Sequence, residues 1–192
     1  MSLSRLVMEK TLQRRRFCVD EFYRLAEAGI LAADERLELV DGAIVVMTPI
    51  GRRHATCVTA FQEALSALVP RATLRVQLPI LLDPESEPEP DLALVRRRED
   101  RYLPAHPGPA DVFLLVEVSR TTLAYDREVK LPLYARAGIP EVWIADLAGD
   151  RLEIYRDPRP DAYTTVGVLA RNDAVAPVAF PDLRLTVGDL LP

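Results

Sequence analysis

The sequence predicts an α/β protein in which α-helices flank a mixed central β-sheet, with an N-terminal helix and a β-hairpin ahead of it. Three observations carry that expectation. Val112-Phe113-Leu114-Leu115-Val116 is an unbroken apolar run, as in a central strand covered on both faces. Val58, Phe61, Leu65 and Leu68 recur at helical spacing and form one apolar face. Asp41-Gly42, between the apolar arms Arg36–Val40 and Ala43–Met47, is a type I′ hairpin signal. Strands on either side of two amphipathic helices pack as an α/β sandwich.

The remaining elements follow in order. Val19–Ala28 reads as a short helix, capped by Asp20, with Phe22, Leu25 and Ala26 on its apolar side and Gly29 as its stop. Pro49–Arg53 is a turn leading into the helix that carries Val58 and Phe61, which is expected to reach Val69. Leu74–Leu82 and Leu92–Val95 read as strands joined by the proline- and acid-rich loop Asp83–Pro90. Arg96–Ala110, with Pro104, Pro107 and Pro109, is a polar connection to the strand Asp111–Ser119. Thr122–Ala137 is a helix stopped by Gly138. Pro132 cannot donate to Glu128, so this helix kinks there or properly starts near Lys130. Glu141–Ala145, Arg151–Tyr155 and Tyr163–Val168 are strands, and the tail Val178–Leu191 packs a last short element. No repeat or linker interrupts the chain, so 1–192 is expected to form one domain, with 1–16 as a flexible N-terminal segment.

Composition narrows the function classes. No apolar run approaches the roughly 18 residues that would span a bilayer, and the basic start lacks a secretory apolar stretch. Two cysteines, Cys18 and Cys57, have no metal-ligand spacing, which points to reduced thiols and a cytoplasmic location. A net charge of −5 argues against broad, unspecific nucleic-acid binding. Arg14–Arg16, Arg52-Arg53 and Arg96–Arg98 are local exceptions: solvated patches by default, phosphate guides if a metal site stands nearby.

Asp91, Glu117 and Lys130 are the residues with the most chemical content. Two carboxylates can hold a hard divalent cation, and an ammonium can steady charge developing on phosphate. Asp91 follows Pro90 at the mouth of a strand, where an acid is ordinarily a turn residue. Glu117 follows five apolar residues, so its carboxylate must be paired, metal-bound or protonated, a salt bridge to an arginine being the plain alternative. Lysine occurs only at 10 and 130, which favours a chosen role for Lys130; an i, i+4 surface pair with Asp126 is the competing account. His54 lies in the first turn of its helix beside Arg52 and Arg53, an anion-favouring end, or is simply a half-buried histidine. Glu38 alternates with Leu37 and Leu39 and should face solvent unless that face lines a cleft.

The ordered set Arg36-Leu37-Glu38-Leu39-Val40-Asp41-Gly42, His54, Pro90-Asp91, Glu117-Val118-Ser119, Asp126…Lys130, Tyr134-Ala135-Arg136-Ala137-Gly138-Ile139 and Glu141-Val142-Trp143-Ile144-Ala145-Asp146 resembles the Uma-two family of restriction endonuclease-like proteins. That family belongs to the PD-(D/E)-x-K nuclease-like superfamily, and the resemblance covers most of the chain. It implies a restriction-endonuclease-like core and a Mg²⁺ site, with Mn²⁺ as a substitute. Asp91 and Glu117, the backbone carbonyl of Val118 and, as a further acid, Glu38 would be its ligands. The family's lysine has migrated from the strand, where this chain has Ser119, to the next helix, where Lys130 matches it. His54 matches a family histidine, with a role in positioning phosphate or water. The implied activity is hydrolysis of DNA phosphodiester bonds, and since nuclease-fold proteins often pair to cut two strands, a homodimer is expected. The rival reading is a nuclease-fold protein that binds or regulates without cutting, supported by the acidic charge and the lack of a separate DNA-reading motif. An enzyme for small phosphoesters is a weaker rival, as no Gly-rich phosphate loop is present.

Overall fold

The computed structural model describes residues 14–32 and 34–192, so most of the segment expected to be flexible (1–16) lies outside the described residues. The chain enters through helix α1 (Val19–Glu27) and a hairpin of β1 (Leu37–Val40) and β2 (Ala43–Val46). Gly29 leaves α1 in the left-handed region at φ +70°, as its stop position demands. Asp20 is not the cap. Cys18 holds that position, and its backbone N–H donates to Glu21 Oε2 at 3.3 Å. Asp20 and Glu21 instead place their charges at the positive end of the helix dipole.

Asp41 and Gly42 turn the hairpin at φ 52° and 75°, the two positive values that a type I′ turn requires. A Cβ on Gly42 would stand 2.6 Å from Cβ of Arg16, whose guanidinium bridges Asp41 and Glu85. Gly42→Ala is therefore expected to cost about 2 kcal/mol, the left-handed penalty plus displacement of Arg16. A denaturant melt checks this, and an unchanged midpoint would refute it.

Helix α2 (Arg52–Leu65) tightens into a 3₁₀ turn, Ser66–Leu68, one residue short of the expected end. The central sheet comprises β3 (Ala72–Val76), β4 (Leu92–Arg96), β5 (Val112–Ser119), β6 (Glu141–Asp146), β7 (Arg151–Arg159) and β8 (Ala162–Leu169), hydrogen-bonded in that order. Only β5 and β6 run parallel; every other neighbouring pair in it is antiparallel. The expected strand Leu74–Leu82 stops at Val76, because Gln77 turns to φ +50° and cannot continue an extended ladder.

Between β5 and β6 runs helix α3, built of Leu123–Tyr125, a π-helical turn Asp126–Lys130 and an α-helical end Leu131–Arg136. The π-turn resolves the problem posed by Pro132. Leu131 N–H reaches back to the carbonyl of Asp126, and the regular helix restarts with proline in its first turn, where no donor is needed. The tail pairs β9 (Ala174–Val175) with β10 (Leu185–Thr186) and closes with α4 (Val187–Leu190).

Apolar side chains cover both faces of the sheet. On one, Phe61 and Leu65 of α2 and the tail residues Val187 and Leu190 pack against Leu92, Leu94, Val116 and Trp143. Trp143, the chain's single tryptophan, is fully buried, its ring 6.4 Å from that of Phe61 and its Nε1 donating to Glu141. On the other face, Leu133 and Tyr134 of α3 and Val40 of the hairpin cover Ala93, Leu115, Val142 and Ile144. Strand alternation sends Asp91 and Glu117 to this second side, with Ala93 and Leu115. Among the described residues, no helix is long and apolar enough to cross a membrane.

Candidate functional site

The sheet itself lines up the acids. The β4–β5 register ends at Leu92↔Val116, and one further step sets Asp91 opposite Glu117. The β3–β4 register ends at Val76↔Leu92, and one further step sets Gln77 opposite Asp91. Directly opposed residues share a face, so Asp91, just before β4, and Glu117 of β5 stand side by side, and Gln77, just past β3, is tied to Asp91 by its backbone N–H and its amide. Helix α3 and the hairpin cover Asp91 and Glu117.

Asp91 is held by three donors. His54 Nε2, from the first turn of α2, and Val118 N–H both reach Oδ2, at 3.0 and 2.9 Å. Gln77 Nε2 lies 3.3 Å from Oδ1. Glu117, only 4% exposed, accepts at Oε1 from Tyr134 OH at 2.6 Å and from Lys130 Nζ at 3.2 Å. Lys130 is equally buried and also meets Glu38 Oε2 at 3.1 Å. Glu38 is tied in turn to Glu89 N–H at 3.1 Å and to Tyr125 OH at 3.2 Å. Its pleat faces a cleft, the condition under which alternation did not send it to solvent.

Two plain alternatives from the sequence are overturned. Asp126 and Lys130 are not a surface ion pair, since both are buried and Asp126 accepts instead from Ser119 Oγ and from Thr122 Oγ1 at 2.9 Å. The partner of Glu117 is Lys130, not an arginine. Arg36 is engaged by Glu89 at 2.6 Å. Arg52 and Arg53 are exposed beside His54 at the start of α2, whereas Arg96 ends β4 and Arg97 and Arg98 follow it, at the opposite end of the strand from Asp91.

Electrostatics follow from the count of charges: Glu38, Asp91, Glu117 and Asp126 surround one ammonium. Burial, with Asp126 and Asp91 adding to it, pushes Glu117 up to about 8 against the pull of Lys130 and Tyr134. Burial also raises Asp126 above the usual carboxylate range. For Lys130, burial opposes the charge, but Glu117, Glu38 and Asp126 outweigh it and hold the ammonium above the ordinary lysine range. Burial and Glu117 keep the Tyr134 phenol protonated, so it stays a donor. The thiol of Cys57 is pushed up to about 12 by burial and by Asp91, which makes it a poor nucleophile.

Glu38, Asp91, Glu117, Asp126 and Lys130 line a cleft of about 270 Å³, together with His54, Val118, Thr122 and an apolar wall of Val45, Val46, Met47 and Ile50 from the hairpin and the segment after it. The cleft gathers all five acid, base and cation residues expected from the sequence: Glu38, His54, Asp91, Glu117 and Lys130. Gln77, Tyr125 and Tyr134 were not anticipated. Tyr134 follows Lys130 at i+4 on one helix, a spacing that places both on the same face. Among the described residues, no three His, Cys, Asp or Glu side chains are grouped so as to wrap a metal ion by themselves. Asp91 and Glu117 nonetheless offer hard oxygen donors of the kind that Mg²⁺ takes in ones and twos, with water completing its shell.

A family model described as putative restriction endonuclease, Uma2, matches residues 19–188. No curated protein is detectably similar to the chain. A solved structure described as "a putative nuclease belonging to DUF820", from Anabaena variabilis ATCC 29413, superposes with a TM-score of 0.67 over 91% of this chain and 97% of its own. The two share 16% sequence identity, so the likeness is one of fold. With the family pattern running from the first residue of α1 into α4, the chain belongs to the Uma2 family, described as putative restriction endonucleases.

Proposed function

We propose that the protein is a Mg²⁺-dependent endonuclease that hydrolyses DNA phosphodiester bonds. The observation that carries this reading is the opposed pair Asp91 and Glu117 in one cleft, with the Lys130 ammonium 3.2 Å from Glu117. A cleft of about 270 Å³, just below the ~300–1,000 Å³ range of ligand sites, suits one phosphodiester and a hydrated cation. Asp91 and Glu117 would hold the metal with the Val118 carbonyl, and Glu38 would stand behind them as the acid that anchors Lys130. Bound Mg²⁺, or Mn²⁺ in its place, would polarise the phosphate and lower the pKa of a water.

The chain's own groups supply the rest. Lys130 orients the attacking water and offsets charge gathering on the phosphate oxygens, a contribution of about 10²–10³ in rate for one such donor. His54 holds Asp91 and, with Arg52 and Arg53 at the positive end of α2, steers the phosphate inward. The water oxygen bonds to phosphorus as the ester P–O bond breaks; the water releases a proton to solvent, and the departing oxygen takes one up from solvent. A homodimer would bring two such clefts to two strands.

Calorimetric titration of Mn²⁺ into wild type and Glu117→Ala tests the reading: one site is expected in the first and none in the second, and a site independent of Glu117 would sink it. The affinity carries a pH signature. Glu117 keeps its proton below about 8, and the metal must displace that proton. Apparent affinity should therefore fall by about tenfold per pH unit below that value and level off above it. A flat profile from pH 6 to 8 would contradict the argument.

A second reading, a nuclease-fold protein that binds without cutting, is favoured by the full engagement of Lys130 with Glu38 and Glu117 and by the net charge of −5. Incubating DNA and RNA substrates with Mn²⁺, wild type beside Asp91→Ala, separates the two, because a binder cleaves none of them.

A further inference from the structure

The two oxygens of Asp91 are not equivalent. Oδ2 accepts from His54 Nε2 at 3.0 Å and from Val118 N–H at 2.9 Å. An ionised carboxylate has about four acceptor positions, two on each oxygen. Oδ2 is therefore filled, while Oδ1 accepts only from Gln77 Nε2, at 3.3 Å, and keeps one position open. Only Oδ1 can take a cation without losing a hydrogen bond.

Gln77 itself sits in an unfavourable conformation. Its φ of +50° lies in the left-handed region, which glycine and asparagine enter more cheaply than glutamine. A long side chain held in such a conformation points to a use for that side chain. The use is local. Gln77 N–H donates to the Asp91 carbonyl at 2.9 Å, so the backbone of one is tied to the backbone of the other while the amide reaches the carboxylate. One step beyond the paired ends of β3 and β4, Gln77 faces Asp91, and Asp91 in turn stands opposite Glu117 of β5. An amide is also the right chemistry here: it donates without adding a positive charge that would compete with a metal ion.

We infer that Gln77 is a positioning residue that holds Oδ1 of Asp91 toward a divalent cation shared with Glu117. This rests on the reading of the cleft as a metal site. The test uses the full chain and Mn²⁺ alone, measured by calorimetry in wild type, Gln77→Gly and Gln77→Asn. Gln77→Gly relieves the backbone and removes the amide; Gln77→Asn suits the backbone but is one methylene too short to reach Oδ1. Both are expected to bind Mn²⁺ about tenfold more weakly or worse, the usual scale for groups that orient a metal ligand. Their metal-free unfolding temperatures should be no lower than that of wild type, which a merely structural role for Gln77 would not give. If glycine at 77 disrupts the fold, Gln77→Asn decides. Wild-type Mn²⁺ affinity in the folded variants overturns the role of Gln77 and leaves the metal site standing. Absence of Glu117-dependent Mn²⁺ binding in wild type brings down both.

Discussion

Lys130→Ala is expected to lose about 3–5 kcal/mol of unfolding free energy in metal-free buffer, the range seen when one partner of a buried ion pair is removed. Glu38 and Glu117 both lie within 3.2 Å of the ammonium, and both are buried. Without it, Glu38 is left buried with no counter-ion, and Glu117, which already keeps its proton below about 8, loses the cation that draws that proton off. A divalent cation in the cleft should restore part of the loss, about 2.7 kcal/mol at a hundred times its dissociation constant. Denaturant unfolding with and without Mn²⁺ reads both effects. Mn²⁺ binding should survive the substitution while cleavage falls by about 10²–10³. Wild-type stability in this variant would refute the clamp, and wild-type cleavage would remove Lys130 from the chemistry.

Glu117→Gln should trade function for stability. Cleavage and the Mn²⁺ site disappear with the carboxylate, yet the amide oxygen can still accept from Tyr134. The pH dependence follows from the raised pKa. Between the ordinary value of 4.5 and about 8, the folded chain keeps a proton on Glu117 that the unfolded chain has released. Stability from this group is therefore present at low pH and lost as pH rises through that window. Glutamine removes the slope. Urea unfolding from pH 5 to 8 should show wild type declining relative to the variant. Parallel curves would mean that Glu117 is no more burdened by burial than a surface acid.

Much of this was legible in the chain. The apolar run before Glu117 announced a central strand, and Asp41-Gly42 announced the hairpin, because both are local patterns with few structural solutions. Asp91, Glu117, Lys130 and His54 could be picked out by residue type and place in the pattern, whereas Glu38, which alternation sends to solvent, entered only through the family resemblance. Their partners could not be picked out. That Tyr134 serves Glu117, and that Glu38 grips Lys130, depends on how α3 and the hairpin settle over the sheet, a matter of long-range packing. Gln77 is different: Pro79 marks a break inside the stretch Leu74–Leu82, but it does not say that the chain turns left-handed two residues earlier or that the Gln77 amide reaches Asp91. Pro132 did signal a disturbance in α3, and the π-turn is its form.

Trp143 gives the molecule a built-in optical reporter. Its indole is dry, sits beside Phe61 and projects from the face of the sheet opposite to Glu117. Emission should be blue-shifted in the native state and move to the red when α2 lifts away, with no second tryptophan to blur the signal. The sheet separates the indole from the acidic cleft, so substitutions at Lys130, Glu117 or Gln77 can be ranked by fluorescence melts without altering the chromophore's own surroundings.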